Sequence, residues 1–140
     1  MFYLVNANQA FALDGSNVDS GFFQSQTGGP FSNTSATGTY AFGTTDPQEF
    51  NVNGQSGVAV FATPNVTVTN DKNSNGTLQF DQTGSMTYSI DSTGLGLLPS
   101  GCSISVTPTT CQTVFYIISP TKAAVMDTTS SNPEIQLADK

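Results

Sequence analysis

Apolar and polar residues alternate along this chain with a period of two, and no segment of helical length repeats apolar residues at i, i+3, i+4 and i+7. Tyr40 and Phe42 alternate with Thr39 and Ala41, and Val66 and Val68 with Thr67 and Thr69. The same holds for Leu78 and Phe80, for Met86, Tyr88 and Ile90, and for Ile104 and Val106. Each stretch offers one apolar face and one wet face, as antiparallel sheets do. Val114-Phe115-Tyr116-Ile117-Ile118 is apolar on both faces, which predicts a central strand covered on both sides. The separators are turn-forming: residues 73–76 and 91–94 each end in glycine, and Asn53-Gly54 and Gln82-Thr83-Gly84 read the same way. Strands are expected near 37–43, 57–62, 65–70, 76–81, 85–91, 95–106, 112–119, 122–128 and 134–138. The spacing predicts an all-β fold, an antiparallel barrel or sandwich of about eight strands.

An internal similarity divides the chain. Residues 2–14 lie over residues 115–127 without a gap, and the offset is 113 (Phe115 against Phe2). Phe2, Tyr3, Ala10 and Asp14 meet identical residues, while Leu4 and Val5 meet Ile117 and Ile118. At the same offset Phe22-Phe23-Gln24 falls on Ile135-Gln136-Leu137. The offset reads as a repeat period. Residues 1–26 are then the C-terminal strands of a preceding repeat, or a strand-exchange segment, and 27–140 a complete β repeat domain. The join is Thr27-Gly28-Gly29-Pro30. An extra N-terminal three-strand segment therefore competes with 115–139 for one place in a sheet. Its apolar residues Phe2, Tyr3, Leu4, Val5, Phe11, Leu13 and Phe22 are the candidates for strand exchange.

Composition narrows the function classes. Charged residues make up 9 % of the 140, against about 25 % in an average domain. Thr, Ser, Asn, Gln and Gly take their place, a surface typical of secreted β-proteins. The net charge is −7, with Lys72, Lys122 and Lys140 the only basic residues. Three scattered lysines do not make a phosphate-binding surface, so neither nucleic acid nor an anionic membrane is an expected partner. No apolar run is long enough to span a bilayer as a helix. The segment Met1-Phe2-Tyr3-Leu4-Val5-Asn6 reads as a strand and not as a signal sequence.

Histidine is absent, which removes the commonest general base and metal ligand. Serine or cysteine triads with histidine are therefore impossible. Tryptophan, a common sugar-stacking platform, is absent too. The acids fall mostly in or beside turns. No enzyme and no cofactor is expected. Asp71, Asn73 and Asn75 match the opening of a calcium loop, but Gln82 stands where a bidentate Glu is needed and Lys72 lies inside. This is a weak metal candidate beside an ordinary hairpin turn. Cys102 and Cys111 flank an alternating segment that turns at Pro108. A hairpin would set them opposite one another, which favours a disulfide, and an oxidising compartment, over two free thiols.

Gly38-Thr39-Tyr40, the turn at 73–76, Tyr88 to Gly96 and Phe115 to Asp127 together resemble tandem β-barrel repeats of large secreted or surface proteins of acidobacteria and similar soil bacteria. The likeness covers most of 36–139, and again 2–26. It departs in the last strand, where Glu134-Ile135-Gln136-Leu137 replaces the usual Gly-Thr-Leu-Glu, and in the two cysteines. The resemblance implies a bacterial extracellular or cell-surface location and no known chemistry. Three functions follow as expectations. The first is a non-catalytic structural or adhesion module in a tandem array. The second is a filament subunit joined to identical subunits by β-strand pairing. The third is a small-ligand-binding barrel, disfavoured because the phenylalanines and aliphatics suffice to fill a small lumen.

Overall fold

The computed structural model describes residues 2–13, 20–44, 53–74, 76–104, 110–128 and 135–140. The period-two segments become strands, and the fold is all-β as the alternation predicts. Strands β1 (Phe2–Asn6), β2 (Gln9–Leu13) and β3 (Ser20–Gln24) form an antiparallel meander in a sheet of its own. The second sheet holds β4 (Gly38–Thr44), β5 (Asn53–Ala62), β6 (Asn65–Ser74), β7 (Thr77–Thr87), β8 (Ser89–Ile90), β9 (Leu95–Leu98), β10 (Thr113–Ser119), β11 (Lys122–Asp127) and β12 (Ile135–Asp139). Its order is β7-β6-β5-β4-β12-β11-β10-β9-β8, antiparallel throughout.

The two ends of that order, β7 and β8, are consecutive pieces of one stretch of chain. β7 pairs with β6, and β8 pairs with β9. At Tyr88 the stretch changes partner: its N–H donates to Pro64 O at 3.0 Å, while Ser100 N donates to Thr87 O at 3.0 Å. The sheet therefore curls back on itself and closes at this end, the base. Towards the other end, the mouth, β7 keeps a second edge that pairs with no strand among the described residues. β5, β6 and β7 are 10, 10 and 11 residues long, and rise beyond the shorter strands opposite.

A 3₁₀ turn, Asn33–Ala36, stoppers the base. Its Asn33 accepts twice: the backbone oxygen from the Tyr88 hydroxyl at 2.9 Å, and Oδ1 from Ile90 N at 2.7 Å. With its own proton committed to Asn33, the Tyr88 oxygen accepts from the Thr63 hydroxyl at 2.9 Å. Tyr88 is thus buried with its polar end satisfied, as burial of a hydroxyl requires. Above the turn the inward residues form one core, including Tyr40, Val66, Leu98, Phe115 and Ile117. Phe61 meets Tyr40, Tyr88 and Phe115 edge-to-face, with ring centroids 5.5, 5.0 and 5.6 Å away. Each such pair adds about 0.5–1.5 kcal/mol beyond area burial.

Several expected boundaries move. Asn53-Gly54 lies inside β5, and Gln82-Thr83-Gly84 lies inside β7, so the strands expected at 76–81 and 85–91 are one. A bulge does the work assigned to a turn. Asp81 has φ +52°, the register slips between Asn70 and Lys72, and Asp71 Oδ1 accepts Asp81 N at 2.9 Å. The strand expected over 95–106 stops at Leu98, before Pro99. β10 is central, between β9 and β11, and buries Val114, Phe115 and Ile117. It is not covered on both sides, because Tyr116 is 50 % exposed. At 91–94 the turn forms as expected. Asp91 Oδ1 accepts from Thr93 N, Thr93 Oγ1 and Leu95 N at 2.8, 2.6 and 3.2 Å. These bonds, the Thr93 hydroxyl foremost, hold its carboxyl below the usual aspartate range.

Cys102 and Cys111 are disulfide-bonded, nine residues apart. Thr110 N donates to Ser103 O at 3.0 Å and Ser103 N to Thr110 Oγ1 at 2.8 Å, which continues the expected hairpin; residues 105–109, with Val106, lie outside the described residues. Closing so short a loop is worth roughly 2–3 kcal/mol. A Cys102→Ser, Cys111→Ser chain is expected to lose that amount in urea unfolding, with its far-ultraviolet circular dichroism unchanged. Gly96 faces the Phe115 ring so closely that a Cβ there would lie 2.1 Å from a ring atom. Gly96→Ala is expected to cost about 1–3 kcal/mol by displacing that ring, read as a lower urea midpoint.

Candidate functional site

The curled sheet encloses a cavity of about 390 Å³. Its existence overturns the expectation that phenylalanines and aliphatics fill the lumen. The reason is residue size. Ala36, Ala59, Ala123 and Ala138 all face inward and are buried, so four wall positions carry a single methyl each. Towards the base the wall is aromatic and aliphatic, with Tyr40, Phe61, Val66, Phe115 and Ile117. Towards the mouth it turns polar: Gln55, Gln112, Asp127 and Gln136 sit near the upper ends of their strands or just beyond them, and Asn70 and Gln82 lie midway along the long strands β6 and β7. Asn70 Nδ2 donates to Gln55 Oε1 at 2.8 Å, bridging β6 and β5. Gln136 is 4 % exposed, the one buried polar residue of the described wall. No lysine lines the space. Burial pushes the Tyr40 phenol above its ordinary pKa, and the neighbouring Tyr88 adds to the shift. Lys140 closes the outside of the base, its Nζ donating to Thr37 O at 2.6 Å and lying 5.9 Å from the Tyr40 ring centroid.

The second feature is the N-terminal meander. β1 and β2 pair as Phe2↔Ala12, Tyr3↔Phe11, Leu4↔Ala10 and Asn6↔Gln9. β10 and β11 pair as Phe115↔Val125, Tyr116↔Ala124, Ile117↔Ala123 and Ser119↔Lys122. Every partner corresponds at an offset of 113, including the irregularity after Leu4 and after Ile117. The turns match as well. Asn8 N donates to Asn6 Oδ1 at 2.9 Å, and Thr121 N donates to Ser119 Oγ at 3.3 Å.

The third strands correspond differently from the sequence alignment. Gln9 pairs with Gln24 and Lys122 with Asp139, an offset of 115 (Asp139 against Gln24). Ser25 N to Asn8 O and Lys140 N to Thr121 O, both 2.8 Å, repeat that offset. The segment joining Met126 to Ile135 is two residues longer than the one joining Leu13 to Ser20. A slip of two keeps every side chain on its own face, which is why the sequence pattern at 113 looked continuous.

The two meanders differ in what covers them. Ile117 is 2 % exposed and its counterpart Leu4 is 78 % exposed. Ala138 is 5 % exposed against 66 % for its counterpart Phe23. β10–β12 sits between β9 and β4, whereas β1 and β3 have no strand on their outer edges among the described residues. The strand-exchange candidates Phe2, Tyr3, Leu4 and Val5 lie on β1, Phe11 and Leu13 on β2, and Phe22 on β3.

The calcium candidates are employed otherwise. Asp71 Oδ1 holds the Asp81 amide and Asn73 Oδ1 accepts Gly76 N at 3.0 Å, while Asn75 lies outside the described residues. Among the described residues no three His, Cys, Asp or Glu side chains gather at one point. Sequence reasoning missed the lumen and its amide rim. The available signal was alanine recurring at inward positions of β5, β11 and β12.

Because its folded-state pKa is raised, neutral Tyr40 contributes stability that is whole below the ordinary phenol value of 10.0 and is lost as pH rises through the raised value. Spectrophotometric titration is expected to show the Tyr40 phenol ionising above its ordinary value, and a Tyr40→Phe chain to lack that step. Comparison of the chain with protein-family models, curated proteins and solved structures finds no match, so the functional reading rests on the geometry.

Proposed function

We propose that the chain is a non-catalytic structural module of a tandem extracellular array, in which residues 1–26 complete the barrel of a preceding copy. One observation carries the reading. The opening meander has the register, bulge and turn bonds of β10–β12, yet Leu4 and Phe23 are exposed where their counterparts Ile117 and Ala138 are buried. A preceding copy ending in β9 and offering its β4 edge would cover that face. The join supports a stiff array. Gln26 Nε2 donates to Thr93 O and Ile117 O at 2.9 and 2.5 Å, and Thr27 N donates to Ile118 O at 2.9 Å. The linker is therefore bonded to the base of the barrel that follows it. A disulfide and a charge-poor surface agree with an oxidising, extracellular setting.

Strand exchange between identical chains is the second reading, and the two free edges of the meander favour it. Its weakness is that each chain's own β10–β12 already fills the place between β9 and β4. A partner's meander enters only if those strands leave.

The test places residues 27–114 a second time, directly ahead of Phe2, so that the natural period is kept. In that chain Leu4→Ala is expected to cost about 2–5 kcal/mol, the cost of truncating a core leucine. In the present chain the same substitution is expected to stay within about 0.5 kcal/mol, as at an exposed site. Equal costs in both chains overturn the array. Concentration-dependent polymers of the present chain in light scattering, abolished by removing residues 1–26, would favour strand exchange instead.

A further inference from the structure

We propose that the lumen is a binding site for a small, uncharged, amphiphilic molecule, apolar along most of its length and hydrogen-bonding at one end. The site is separate from the meander and independent of the array reading.

The shape comes first. The base is stoppered by the 3₁₀ turn and by the Tyr88 hydrogen bonds, while access lies at the mouth, where β7 has a free edge. A volume of about 390 Å³ falls within the ~300–1,000 Å³ of small-molecule sites. At the ~30 Å³ that a water occupies, it seats a molecule of roughly 10–15 non-hydrogen atoms.

The wall chemistry sets the class. The deep part is built from phenyl rings and branched aliphatics, which favour an apolar body. The upper part carries four glutamines and an asparagine, amides that both donate and accept. Gln136 stands out, because an almost fully buried amide on a core-facing strand position has no packing advantage over the leucine that would fit there. No lysine lines the lumen, Asp127 is the charged residue among its described lining, and the net charge is −7. A phosphate or carboxylate head would meet no counter-charge there. A hydroxyl, an amide or a neutral sugar end fits the amides.

The size of the wall residues is what keeps the site open. Leucine at Ala59, Ala123 or Ala138 would be an ordinary choice for a strand of a filled barrel. Three strands and the stopper each hold alanine instead.

The test uses the neutral fluorescent dye 2-naphthol, apolar with a single hydroxyl and within the size of the lumen, on the whole chain, followed by fluorescence. Saturable binding with one dye per chain is expected. Ala59→Leu and Ala123→Leu, which fill the lumen, are expected to weaken it about tenfold or more, whereas Leu4→Ser with Phe23→Ser, which removes the exposed apolar surface of the meander, leaves it unchanged. 2-Naphthalenesulfonate, an anionic relative of the dye, is expected to bind at least about tenfold more weakly. Should the filled variants fail to fold, methyl NMR of the unaltered chain decides. Met86 lines the lumen and Met126 is an exposed residue of β11, so the dye should shift the Met86 methyl alone. Absence of saturable binding overturns the site, as does binding that survives lumen filling, that is lost with the meander surface, or that leaves Met86 unmoved. Equal affinity for the sulfonate overturns the uncharged class.

Discussion

The structure depends on one stretch of chain serving both ends of a sheet. β7 and β8 are nearly continuous, and between them Tyr88 turns its amide to Pro64 while its hydroxyl binds the stopper of the base. Without that change of partner the sheet would stay open, with charge-poor edges at β7 and β9. Such edges invite pairing with other chains, and this sequence has few lysines to blunt them. Closing the sheet at its base removes the exposure there. Where closure stops, the upper part of β7 is left with an edge, and the lumen with an opening.

The same constraint explains why the N-terminal meander is an unresolved demand and β10–β12 is not. Both have the same register and the same bulge, hence the same preference for a partner on each edge and a core beneath. β10–β12 finds β9, β4 and the aromatic cluster around Phe61. The barrel has a single opening of that width, and it is taken. Leu4 and Phe23 remain at the surface because a second meander has nowhere to go within one chain. Hydrogen bonds from Gln26 and Thr27 nevertheless tie the meander's end to the barrel base, which makes the join a defined part of the fold and not a loose tether.

A stalk and a lumen are compatible because different residues build them. The proposed array would use strand edges and the outer join. The cavity uses small inward residues and amides near the mouth, neither of which improves a purely structural barrel. Filling the lumen would have required nothing more than larger aliphatics on β5, β11 and β12.

The all-β class was legible because a period of two leaves no other way to bury Tyr40, Val66 and Tyr88 on one side. The likeness of the two hairpins was legible for β1 and β2, whose residues align one by one with β10 and β11. Cys102 and Cys111 were legible from their short, alternating spacing. The true register of β3 was not, since a slip of two preserves every face and leaves no mark on the pattern. Nor was the continuity of β7, because a bulge at Asp81 and a turn at Gln82-Thr83-Gly84 ask for similar residues. The lumen lay furthest from the sequence. Whether an inward alanine leaves space depends on what stands across from it, and the curl of the sheet alone brings Ala59, Ala123 and Ala138 around one volume. Local pattern determined which residues face the interior; only tertiary closure decided how much of that interior side chains could occupy.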